Sequence, residues 1–393
     1  MSVYKIPITS AFIIFPVIAF VLTLPYLIYQ YRKYGSIPFL RSAIFYSFIL
    51  YLLCTYFLVI LPLPSIEEVS ALTTPTIQLT PFNFINDLSN ISFNWTDLSS
   101  YMNMIQSPAF YIVAFNILLT VPFGIYLRYY FECKWYQVLL FSFLLSLFFE
   151  VTQLTGLYGI YPRAYRLFDV DDLILNTFGG MLGFIVTPIF SLILPTRKEL
   201  DEKSLKKGKR VSIFRRGLSY CIDFFFLVIL VIVISILFHG TPFENYSLLL
   251  SIILYFLGLP LVTEGKTLGK IILKTQVISK NKKWKKGKIE LRYFLSYILF
   301  YYQFIIVNLL EEVPTNNDIL KIVINSSIIL LKIYFWINVL SILFNIVKKK
   351  KEFLYEKITK TETISTIEYE EQPIEQEKEG KEDARVKKDK QEL

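Results

Sequence analysis

"FFEVTQLTGLYGIYPRAYRLFDVDDLILNTFGGMLGFIV", residues 148–186, places a short charged turn between two apolar runs. The first run extends back to about 136 and the second on to about 195. Each is long enough for the roughly 20 helical residues that cross a hydrocarbon core. Glu150 lies inside the first run, and Arg163, Arg166, Asp169, Asp171 and Asp172 crowd the turn. Charge beside lipid is costly and tends to mark function, so the stretch reads as two membrane helices joined at a working site.

The same pattern recurs along the chain. A soluble domain cannot hide the apolar surface of a 393-residue chain that is 54% hydrophobic. Spanning helices are expected at about 8–30, 41–63, 108–130, 136–158, 172–195, 217–238, 247–263, 293–310 and 322–347. The fold class is all-α: a polytopic helical membrane protein with about nine transmembrane helices.

Basic residues set its orientation. Arg32, Lys33 and Arg41 place the first loop inside, whereas residues 64–107 hold Glu67, Glu68, Asp87 and Asp97 but no Lys or Arg. Residues 196–216 carry nine basic and three acidic residues, and residues 264–292 carry ten and two. The N-terminus is therefore expected outside and the C-terminus inside, with the turn after Glu150 on the extracytoplasmic face. The net charge of +9 is absorbed by this topology, which removes nucleic acid as an expected partner and leaves membrane lipids. A single histidine, His239, and three cysteines without CxxC spacing argue against zinc sites and against Ser/His/Asp or Cys/His catalysis. No metal and no cofactor is expected.

Four divisions follow: a five-helix membrane domain at 1–195, a basic cytoplasmic linker at 196–211, a four-helix domain at 212–361 and a charged, disordered cytoplasmic tail at 362–393. In the first domain Gln153 shares the helical face of Glu150. Asp172, Asn176, Gly179 and Gly183 share a face of the next helix, with Gly180 beside them. Gly179 and Gly183 allow another backbone to approach, and the helix carrying Glu150 is the natural partner because the connection is short. The preceding helix adds Asn116, an amide needing a partner, and Pro122, which frees a carbonyl. The polar groups of three helices thus converge on a pocket or a sealed polar core.

The series Asn116, Pro122, Gly124, Glu150, Gln153, then Arg163 or Arg166 with Asp169, Asp172, Asn176, Gly179 and Gly183, resembles the motifs of VanZ-like membrane proteins over about 10–195. Arg166, in "RLFDVDD", is the better match to the family arginine. In the second domain Arg216, Asp223, the "GKTLGK" run with Lys266 and Lys270, and "EFLYEKITKT" at 352–361 resemble the RDD family over 212–365. Glu356 stands where that family has a second aspartate. Asp223, buried near the membrane surface, is expected to pair with Arg216 or Lys266.

The first resemblance implies a bacterial plasma-membrane protein, of a Gram-positive cell, that lowers sensitivity to teicoplanin-type glycopeptide antibiotics. The expected site, Asn116, Glu150, Gln153, Arg163, Arg166, Asp169, Asp172 and Asn176, would take an envelope lipid, a lipid-linked cell-wall precursor or the antibiotic itself. The competing class is a proton- or cation-coupled transporter using Glu150 and Asp223. An enzyme is disfavoured, because paired carboxylates without a nucleophile, histidine or metal ligands give acid/base chemistry few parts. The oligomeric state is not legible in the sequence.

Overall fold

The computed structural model describes residues 2–91, 98–190, 192, 194–280, 286–298, 318–347 and 352–367. Most of the span expected at 293–310, the centre of the lysine-rich loop at 280–288 and most of the tail expected at 362–393 lie outside these residues. Among the described residues, eight helices are long and apolar enough to cross a membrane. We number them α1 (Ser2–Tyr34), α2 (Phe39–Ile60), α3 (Pro108–Tyr129), α4 (Trp135–Leu154), α5 (Val170–Phe190), α6 (Ile213–Leu237), α7 (Glu244–Val262) and α8 (Asp318–Val347). The chain is a polytopic helical membrane protein. By its contacts it divides into one unit of residues 1–26 and 38–203 and a second of residues 27–37 and 204–393.

The first unit is organised around α5. Its residues meet α3 at a constant separation of 56: Asn116 with Asp172, Thr120 with the carbonyl of Asn176, and Arg128 with the carbonyl of Phe184. A constant separation means that the two helices run parallel. Glycines allow it: a Cβ on Gly179 would strike the carbonyl of Ile117, and one on Gly183 that of Val121. Gly124 in turn lies against the carbonyl of Gly180, so the backbones touch where side chains would hold them apart. The expected partner of the glycine face is thereby corrected from α4 to α3. Short connections make α4 an antiparallel neighbour, and it does pack on α5, but with Ser142 against Gly180. A parallel neighbour was hidden by its distance in sequence.

Burial along α4 shows the side it turns inward. Val138, Ser142, Ser146, Phe149 and Gln153 are buried at intervals of three and four, the repeat of one helical face, and Glu150 is buried four residues after Ser146. Their small hydroxyls match the glycines opposite. The segment between α2 and α3 folds back on the same unit: β1 (Ile77–Gln78) pairs in parallel with β2 (Phe168–Asp169).

In the second unit a short helix, Leu268–Ile272, follows α7 and leads into β3 (Thr275–Ser279). β3 pairs antiparallel with β4 (Thr361–Ser365), from Thr275 opposite Ser365 to Ser279 opposite Thr361. The start of the tail expected at 362–393 is therefore corrected: Thr361 and Thr363 are buried on one side of a strand, an alternation that suits β-branched residues. Tyr255, Phe256, Val277, Ile289 and Tyr293 form this unit's core.

Candidate functional site

A cavity of about 530 Å³ opens in the first unit where α3 and α5 begin and α2 and α4 end. Its wall includes Asn116, Glu150, Gln153, Arg166, Asp169, Asp172 and Asn176, together with apolar residues of α2 and α3. Arg163, expected in the same group, does not line it. Its guanidinium donates instead to the carbonyls of Leu72 and Thr74, clamping the loop before β1.

The end of α2 explains two of these positions. Pro62 and Pro64 stop the helix, whose last carbonyls are left without N–H partners. The carbonyl of Val59 accepts from Gln153 Nε2 at 3.1 Å and from Arg166 Nη1 at 2.9 Å. A cation at a helix C-terminus also meets the negative end of the helix dipole. Arg166 is thus held at the rim with part of its exposed guanidinium still facing outward.

Carboxylates fill the opposite wall. Glu150 is 2% exposed, and its Oε2 accepts from the backbone N–H of Asp169 at 3.0 Å. Asp172 Oδ1 accepts from Asn116 Nδ2, which satisfies the intramembrane amide of α3. Asp169 accepts from the N–H of Asp171 at 2.8 Å. Burial pushes the Asp169 carboxyl above its ordinary range, and the nearby charges of Asp171 and Asp87 push the same way against that N–H. Asn176 donates to Ser146 Oγ at 3.0 Å, and Ser146 donates to the carbonyl of Asp172 at 3.2 Å.

The helix-packing residues stand behind the cavity: Gly179, Gly180 and Gly183 set the approach of α3 and α4, and Pro122 lies within α3. Near that proline the Tyr51 hydroxyl donates to the carbonyl of Leu119 at 2.7 Å. Asp171 is the residue the sequence reading left outside the site. It is buried, and its two carboxylate oxygens accept from the N–H groups of Phe82 and Phe84 at 2.6 and 2.8 Å. With the pairing of β1 and β2, this fastens the acidic loop beside the cavity residues. The crowding of Asp169, Asp171 and Asp172 was the available signal; which of them faced a loop was not.

Residues 48–191 match the VanZ/LLP1 family, and residues 210–359 match the RDD family. The two matches are consistent with a VanZ-like domain joined to an RDD domain. No curated protein and no solved structure matches it. The cavity's polar wall, from Asn116 to Asn176, lies wholly within the VanZ-like match. Both families are membrane-associated and the chain has many apolar helices, so this is a multi-pass membrane protein, for which the bacterial plasma membrane is the usual location. The VanZ-like domain makes it a protein of the cell envelope.

The RDD domain contains a second buried polar group. Asp223 is fully buried on α6 and accepts from Tyr255 Oη at 2.9 Å, Thr267 Oγ1 at 2.7 Å and the N–H of Gly269 at 2.7 Å. Its ion pair is with Lys270, at 3.8 Å. The expected partners are corrected on both counts. Gly269 brings the start of the Leu268–Ile272 helix against α6, so Lys270, one residue on, is turned inward, whereas Lys266 lines a different, open groove. Arg216 pairs with Glu356 at 2.9 Å, and Arg292 reaches the same carboxylate at 2.9 Å. The glutamate in the family's aspartate position thus keeps a carboxylate between two guanidiniums. Lys270 also donates to Tyr297 Oη at 2.8 Å. Burial pulls its ammonium down to about 8, with the Asp223 charge opposing the shift.

Two arginines went unread. Arg215, fully buried beside the motif arginine, donates to the carbonyls of Leu273 and Lys274, closing the end of the Leu268–Ile272 helix. Arg292 lies in a lysine-rich stretch whose charges read as topology signals. Neither position carries a local signature distinguishing it from surface charge.

Proposed function

We propose that the protein lowers the sensitivity of a Gram-positive cell to teicoplanin-type glycopeptides by engaging an envelope lipid or lipid-linked wall precursor in the VanZ-like cavity. The observation that carries this reading is the cavity itself. One buried and two half-buried carboxyls, amides and an arginine face a space of about 530 Å³ beside apolar helix surface. That volume is in the range of sites for small molecules. It suits the head group of a lipid better than a whole glycopeptide, which narrows the three candidate ligands to two.

Charge supports one side of the membrane for this cavity. Residues 64–107 carry no Lys or Arg, and the loops after α1 and α5 are basic, which favours an outward-facing cavity with the N-terminus outside and the C-terminus inside. An outward cavity near the membrane surface is where lipid-linked wall intermediates and glycopeptides meet.

Growth inhibition by teicoplanin of sensitive cells expressing the full chain, Glu150→Gln or Arg166→Gln tests the proposal. Protection by the full chain that is lost in both variants, at equal membrane expression, supports it. Protection unchanged in both variants would refute it. The transporter reading draws on a different observation, the buried Asp223–Lys270 pair in the RDD domain, and predicts proton-coupled flux in vesicles that depends on Asp223.

A further inference from the structure

Resting on that reading of the cavity, the inventory of donors and acceptors in its wall narrows the ligand. Each amide nitrogen has one partner within the wall: Asn116 with Asp172, Gln153 with the Val59 carbonyl and Asn176 with Ser146. Acceptors remain in excess. Three carboxyls, of Glu150, Asp169 and Asp172, face one guanidinium, that of Arg166.

The apolar side fixes the rest of the ligand. Tyr111 and Ile112 of α3 line the cavity and are themselves exposed, at 47% and 56%. On a membrane-spanning helix, such surface faces acyl chains. A chain can therefore lie along α3 while its head reaches the carboxyls. A monatomic cation would satisfy the acceptors but leave most of the volume and the apolar rim unused.

We infer that the cavity binds an amphiphile whose head group carries a protonated primary amine, the ammonium donating to the carboxyl wall of Glu150, Asp169 and Asp172. The free edge of the Arg166 guanidinium takes an anionic group beside that amine, so an aminophospholipid has the complete pattern. A quaternary ammonium has no N–H to give to the carboxyls.

The full chain in nanodiscs of equimolar phosphatidylethanolamine, phosphatidylcholine and phosphatidylglycerol, released into detergent and examined by native mass spectrometry, reports which lipid is retained. Phosphatidylethanolamine is expected to be held about tenfold over either competitor, the value of one charge-assisted hydrogen bond. N-acetylated phosphatidylethanolamine, which lacks the charge, is expected to be lost from the unaltered protein, so no variant need fold for the test to decide. In Arg166→Gln total retention should fall while preference for the free amine over its N-acetyl form persists. Equal retention of phosphatidylcholine, preference for phosphatidylglycerol, or retention of the N-acetylated lipid would each overturn the inference. Absent amine selectivity with teicoplanin protection intact removes the ligand class alone; selectivity without protection removes the envelope reading alone.

Discussion

Asn116 on α3 donates to Asp172 on α5, and this pair is the first rung of a parallel register kept over three helical turns. It joins the fold to the site, because the same hydrogen bond aligns two helices and holds one carboxylate of the cavity wall. Asn116→Leu removes the donor and leaves a half-buried carboxyl without its amide, which costs about 1 kcal/mol or more. Combined with Asp172→Leu the losses should not add. Thermal unfolding of the four proteins in detergent is expected to give a coupling of roughly 1–2 kcal/mol; simple additivity would show that the contact contributes nothing.

The glycine contact makes a steric prediction. Gly179→Val places methyl groups where the Ile117 carbonyl and the Thr120 hydroxyl lie. Overpacking of this kind costs about 1–3 kcal/mol. Gly258→Ala, at a position with nothing within 4 Å of the added Cβ, serves as the control. A lower melting temperature for the first variant and little change for the second are expected in fluorescence-detected size-exclusion chromatography.

How much of this was legible in the sequence depended on range. Helix existence was legible because apolar runs are a local signal, and Pro62 with Pro64 marks the end of α2 as plainly as the runs mark its middle. Glu150, Gln153 and Asn176, which line the cavity, were legible as candidates because a polar group inside an apolar run stands out. The roles of Arg163 and Asp171 were not, since each binds the backbone of a loop about 90 residues away. Nothing near either residue encodes that loop. The exchange of Lys266 for Lys270 had a similar cause: both lysines were visible, and the close approach of Gly269 to α6 decided between them.

Lys270 carries a pH signature. Its pKa in the folded protein, about 8, lies below the ordinary lysine value of about 10.4. Between those values the unfolded chain binds more protons than the folded one, so this group's contribution to stability rises with pH from about 8 to about 10 and is flat below 8. The melting temperature of the parent protein minus that of Lys270→Met is expected to increase over that window. A difference that stays level from pH 7 to pH 10 would show that the ammonium is not held down by burial.

Orientation is tested by labelling. With the natural cysteines Cys54, Cys133 and Cys221 replaced by serine, Glu67→Cys should react with a membrane-impermeant maleimide added to intact cells. Lys206→Cys, in the basic segment after α5, should react only after the cells are opened. The reverse pattern would put the cavity's end of the VanZ-like domain on the cytoplasmic side.

The most direct measurement of the central claim is surface binding of a fluorescent teicoplanin-type antibiotic to sensitive Gram-positive cells carrying no insert, the full chain or Glu150→Gln. The account predicts less bound antibiotic with the full chain and restoration of binding in the variant at equal expression. Binding that is unchanged by the full chain, or lowered equally by Glu150→Gln, would contradict a role for this cavity at the cell envelope.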